Sequence, residues 1–242
     1  MLDKTKDLAS SLFITLLTIV PQISSPIPPP IPPLSGPLSL KAFIPGNLTI
    51  GALIAVNLPG KDGQCSVVNS FLGMEVLEAL LYSIDQINAN QSLLPNITLG
   101  VKAYDTCASE TAALDRAVKD FVLGRTWHSS KEPCNHHARP VIGVIGPGYS
   151  YEAVHVASFL EIFEIPLISF AATSPQLSDK SKFKYFSRTI QSDTSQMQAI
   201  IDLLIYYNWT YVSLLYTDES YGINGMEILK KQAHQNGTVL DI

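Results

Sequence analysis

Between Val141 and Ser174 one layout occurs twice. An apolar run, VIGVIG, breaks at Gly146-Pro147-Gly148-Tyr149-Ser150. It gives way to a helical pattern that starts at Tyr151 and turns Val154, Val156, Ala157, Leu160 and Phe163 inward. A second apolar run, IPLISF, ends in Ala171-Ala172-Thr173-Ser174. Short apolar strands joined through helices call for a parallel sheet covered on both faces, with its strand ends opening on one side. Ligands of such sheets bind outside the carboxyl ends of the strands. Two consecutive ends here carry hydroxyls, Ser150 and Thr173, the first at a helix N-terminus. That combination suits a carboxylate or other small anion.

The same alternation extends on both sides. Leu48 to Val56 reads as a buried strand, followed by a polar loop with Gly60, Gly63 and Cys65. Met74, Leu77, Leu80, Leu81, Ile84 and Ile87 recur at helical spacing, which predicts a helix over 71–88. Ile97 to Tyr104 is a second strand and Thr111 to Leu123 a second helix, before a polar, aperiodic stretch from Gly124 to Arg139. Beyond Ser174, Lys184 to Ile190 is strand-like. Thr194 to Tyr207 is an amphipathic helix with Met197, Ile200, Ile201, Leu204 and Ile205 on one side. Thr210 to Tyr216 is a strand and Gly222 to Gln235 a helix. The fold class is therefore α/β, a doubly wound parallel sheet.

Residues 1–25 read as a leader resembling a signal peptide, with Lys4 and Lys6 ahead of a short apolar core from Leu12 to Val20. That core falls well short of the ~20 residues a membrane span needs. Residues 26–43 read as a proline-rich linker. Asn-x-Ser/Thr triplets at Asn47, Asn90, Asn96 and Asn236 are glycosylation candidates that fit an extracytosolic chain; a further one, Asn208, enters a predicted strand and is the weakest. Three cysteines, Cys65, Cys107 and Cys134, fit one bridge and one odd thiol, which in a secreted chain points to a bond with a second subunit. The net charge of -5 argues against a nucleic-acid partner.

Four strings, GVIGPGYSYEAVHVASFL, IPLISFAATSPQLSDKSKFKYFSRTIQSD, NWTYVSLLYTDESYGINGMEILKKQA and LLPNITLG, resemble the extracellular Venus-flytrap domain of class C G-protein-coupled receptors, and among them the metabotropic glutamate receptors. The resemblance covers about Leu48 to Gly237. It implies a periplasmic-binding-protein-like type I fold of two lobes, with 44–188 as the first part of lobe 1 and 189–242 as the start of a truncated lobe 2. It also implies an amino acid bound in the cleft, glutamate or another α-amino acid, and a homodimer through lobe 1. Signal transfer to a G protein would run through a membrane domain outside these residues. By the same resemblance Cys65 pairs with Cys107, leaving Cys134 for the second subunit, and the chain sits on the extracellular side of the cell membrane, reached through the secretory pathway.

Carried over residue by residue, Ser150 matches the serine that bonds the ligand's α-carboxylate, and Thr173 the threonine that contacts both α-carboxylate and α-ammonium. Ala171 holds a position whose backbone carbonyl contributes, Asp193 matches the acid that pairs with the ammonium, and Tyr221 matches a tyrosine whose ring meets that cation from lobe 2. One position departs: Val76 stands where glutamate-binding relatives place an arginine for the side-chain carboxylate.

Each residue also has a plainer reading. Ser150 and Asp193 could cap their helices, and Tyr221 could be packing. Cys134 with His128, His136 and His137 mimics a metal cluster, but all four share one loop, whereas zinc ligands come from separate elements. No metal or cofactor is expected. Gly146-Pro147-Gly148 begins like a dinucleotide loop but lacks the third glycine, and no nucleophile-base pair ends a strand, so an enzyme is not expected. The alternative is a secreted or periplasmic-type small-molecule-binding protein without a membrane domain.

Overall fold

The computed structural model describes residues 41–122, 141–218, 220–235 and 239–241. The leader, most of the proline-rich segment, Cys134, its neighbouring histidines and Asn236 lie outside them.

The strands in chain order are β1 (Lys41–Ile44), β2 (Leu48–Ile54), β3 (Asn57–Pro59), β4 (Cys65–Val68), β5 (Leu99–Asp105), β6 (Val144–Ile145), β7 (Leu167–Ser169), β8 (Phe186–Arg188), β9 (Tyr211–Ser213) and β10 (Val239–Asp241). The α-helices are α1 (Glu75–Ala89), α2 (Glu110–Arg116), α3 (Ser150–Glu161), α4 (Asp193–Tyr206) and α5 (Ser220–Gln235). Single π-helical turns lead into α1 (Ser70–Met74) and extend α2 (Ala117–Val122).

β2 lies inside a six-stranded sheet of order β1-β5-β2-β6-β7-β8. It pairs in parallel along its full length with β5, from Leu48 opposite Leu99 to Ile54 opposite Asp105. Its apolar run is continuous because both faces are covered. Leu53 joins a cluster with Phe121, Val156, Leu160 and Leu167, under α2 and α3. Ala52 and Ile54 point the other way, into a cluster with Leu77, Leu80 and Ile84 of α1. That alternation places helices on both faces and makes the sheet doubly wound. Gly51 fits here because a Cβ at this position would meet the Phe121 ring at 2.7 Å.

Several features differ from the sequence reading, among them Phe163, expected inside but exposed just past the end of α3. Residues 41–43, assigned to the linker, form with Ile44 a strand that pairs antiparallel with β5, so the sheet is mostly rather than wholly parallel. A short strand beside a proline-rich run carries too little pattern to stand out. The loop after β2 contains the β3–β4 hairpin, hidden because Val67 and Val68 face outward instead of alternating. The later strands of the sheet shrink to two or three residues. Ile205, expected inside, is exposed; α4 buries Ile201 and Leu204 against Leu229 and Ala233 of α5. This third cluster, backed by the parallel β9–β10 pair, is separate from the first two.

Asn47, Asn90 and Asn96 are all exposed. Asn208, expected in a strand, instead occupies a left-handed turn after α4 at φ 54° and is exposed as well. No described helix is long and apolar enough to cross a membrane.

Candidate functional site

The loops after β6 and β7 build one side of an open cleft of about 1170 Å³, whose lining includes Ser150, Ala171, Thr173 and Tyr221. The loop after β6 turns at Gly146, whose φ of +84° and Cβ direction, 2.0 Å from the Leu53 carbonyl oxygen, admit only glycine. The two loops are bound to each other. The Ser169 hydroxyl donates to the Pro147 carbonyl at 2.6 Å and accepts from the Ala172 N–H at 3.0 Å.

Ser150 is the first residue of α3, and Tyr149 rather than Ser150 holds the cap position, without a side-chain bond. The Ser150 hydroxyl accepts instead from the Ser174 N–H at 3.1 Å, joining the second loop to the start of the helix. A hydroxyl that accepts one bond can still donate. With the first amides of α3 beside it, the positive end of the helix dipole is presented to the cleft. Ala171 and Thr173 are half-buried on the facing loop.

Asp193 is placed differently. Ser192 caps α4 through the Thr194 N–H, and Asp193 follows as the first helical residue. Its N–H donates to the Thr173 carbonyl at 3.0 Å, and its carboxylate accepts from the Tyr221 hydroxyl at 3.4 Å. It is buried, and Tyr221 rather than Asp193 lines the cleft. The structure thus gathers four of the expected residues around one space and ties the fifth to two of them.

Two groups near the cleft, Arg188 and Glu152, escaped the sequence reading, and the Tyr149–Tyr151 pair beside Ser150 gains a geometry. Arg188, ending β8, donates to the carbonyls of Ala172 and Ser174 at 3.3 and 3.0 Å and so fixes the Thr173 loop. Burial lowers its pKa from the ordinary arginine value, against the opposing charge of Asp193. Tyr149 and Tyr151 stack at 5.4 Å between ring centroids, and the Tyr151 hydroxyl donates to the Ala108 carbonyl at 3.1 Å. Glu152, two residues into α3, is fully buried. Burial pushes its carboxyl up to about 7; the Thr106 hydroxyl and Ser109 amide oppose that rise, and Asp105 and Glu110 add to it. No single-residue pattern marks a buried acid in the first turn of a helix, where acids are ordinarily solvated. His155 of α3 lies 3.2 Å from the Glu110 carboxylate at the start of α2.

Val76, the position of the expected arginine, packs half-buried against the cluster of Leu77, Leu80 and Ile84. The cleft wall nearby is Leu72, with Leu58 and Pro59 of β3. Cys65 and Cys107 are joined in a disulfide that ties β4 to the end of β5. Among the described residues, no group of His, Cys, Asp and Glu is arranged to hold a metal ion.

Residues 75–241 match the family described as "Receptor family ligand binding region". The chain belongs to that family and is a class C G-protein-coupled-receptor-like extracellular ligand-binding domain, of Venus-flytrap type, related to the metabotropic glutamate receptors. It is 39% identical over 205 residues, 81% of this chain, to metabotropic glutamate receptor 4 of Rattus norvegicus and equally to that of Mus musculus. To the metabotropic glutamate receptor of Drosophila melanogaster it is 36% identical over 216 residues, 84% of this chain. In each case the chain spans 22% of the relative's length. Domains of this family are non-catalytic receptor modules, and this one is a binding module rather than an enzyme.

Proposed function

We propose that this domain is the amino-acid-sensing region of a metabotropic-glutamate-receptor-like protein, binding an α-amino acid between Ser150 and Thr173 on one side and Asp193 and Tyr221 on the other. The observation that supports this most is the joining of hydroxyls, helix amides and a buried acid around one cleft. The α-carboxylate lies against the Ser150 and Thr173 hydroxyls and the first amides of α3. The α-ammonium lies near the Ala171 carbonyl and the Tyr221 ring, with the Asp193 carboxylate behind it. In the whole protein, binding draws lobe 2 onto lobe 1, two copies associate through lobe 1 with Cys134 as the covalent link, and the change passes to a G protein across the cell membrane.

Thr173→Ala is expected to weaken binding of the preferred amino acid by about 1–3 kcal/mol, since it removes a hydrogen bond to a charged ligand group. Titration calorimetry measures this, with circular dichroism confirming that the variant remains folded. Unchanged affinity in Thr173→Ala and in Asp193→Asn would place the amino-acid clamp elsewhere.

A further inference from the structure

The cleft has a part that the α-amino and α-carboxyl groups do not use, and its chemistry is one-sided. β3 supplies Leu58 and Pro59, and the turn before α1 supplies Leu72. Tyr149 and Tyr151 add their stacked rings. Among the described residues lining the cleft there is no lysine or arginine, and the one charged side chain is Glu110, an acid. Arg188 is engaged by the carbonyls of Ala172 and Ser174 and by the Ser178 hydroxyl. A second carboxylate on the ligand would lose hydration without gaining a cation, and would feel Glu110. An apolar side chain would bury its surface against leucine, proline and ring faces.

We infer that the ligand is an α-amino acid with a large uncharged apolar side chain, leucine- or phenylalanine-like, and that Leu58 and Leu72 set this preference. The inference rests on the proposed amino-acid reading of the same cleft. It differs in what it predicts for the side chain.

The test is titration calorimetry of the full 242-residue chain with leucine, phenylalanine, glycine and glutamate. Leucine or phenylalanine should bind at least about tenfold more tightly than glutamate, since a site without a partner for a charged group discriminates against it. Leu72→Lys should reverse the order, raising glutamate affinity by about tenfold or more and weakening leucine. Leu58→Lys repeats the measurement from the hairpin, so that a folding defect in one variant does not decide the matter. Glutamate binding as tightly as leucine, or a preference that neither folded variant moves, overturns the inference and leaves the amino-acid reading standing. Silence toward all four amino acids in a folded chain overturns both.

Discussion

Replacing Glu152 by glutamine should convert a pH-dependent cost into a pH-independent one. Glu152 is fully buried, and its carboxyl is raised to about 7, chiefly by burial and then by Asp105 and Glu110. In the unfolded chain a glutamate titrates near 4.3. Well below that value the carboxyl is protonated in both states and carries no penalty. Between the two values the native state holds the proton and the unfolded state does not, so stability falls as pH rises. Above about 7 the native state holds an unwelcome charge and the penalty is complete. At about 1.4 kcal/mol per pKa unit the full penalty is about 3–4 kcal/mol. Glutamine has the same shape and no proton to lose. Urea unfolding of the chain and of Glu152→Gln at pH 4 and pH 8.5 separates this effect from the rest of the molecule, since every other side chain is common to both proteins. The variant should gain about 3–4 kcal/mol relative to the parent on going from the lower to the higher pH. Parallel stability curves would refute the reasoning, because they would mean that Glu152 ionises in the native state as readily as in water.

Two further outcomes follow from the same geometry. Gly146→Ala forces a side chain onto the Leu53 carbonyl at a φ of +84° and should destabilise by at least about 2 kcal/mol, read as a lowered unfolding midpoint. Replacing both Cys65 and Cys107 by serine opens a link between residues 42 apart in sequence and should remove about 4 kcal/mol, measured by urea unfolding under oxidising conditions.

How much of this could be read from the sequence depended on whether a residue's surroundings repeat along the chain. β2 was legible because a strand covered on both faces has an unbroken apolar run, and α1 because Leu77, Leu80 and Ile84 return at helical spacing to one cluster. β1 was not legible because its alternation, Ala42 and Ile44 inward with Phe43 exposed, spans only three residues beside a proline-rich run, and the β3–β4 hairpin was not because Val67 and Val68 both face outward. The hydroxyls of Ser150 and Thr173 could be placed at strand ends, and their grouping came from the resemblance. The two capping alternatives were decided by the fold: Tyr149 and Ser192, one residue earlier in each case, hold the cap positions in place of Ser150 and Asp193.

The residue with the least local signal has the widest connections. Arg188 lay inside the expected strand from Lys184 to Ile190 with nothing to single it out, yet it holds the Ala172 and Ser174 carbonyls on either side of Thr173 and feels the charge of Asp193. Asp193 in turn donates its own N–H to Thr173 and accepts from Tyr221. The Thr173 loop is therefore held from both flanks by β8 and α4, and from the Ser174 side by Ser150. A loop backbone fixed in this way is preorganised, which lowers the entropy lost when a small ligand is bound. The same links couple the two helix starts: a ligand group that pulls on the Asp193–Tyr221 pair also pulls on the backbone of Thr173. Under the proposed function, that shared backbone is where binding on one wall is felt on the other.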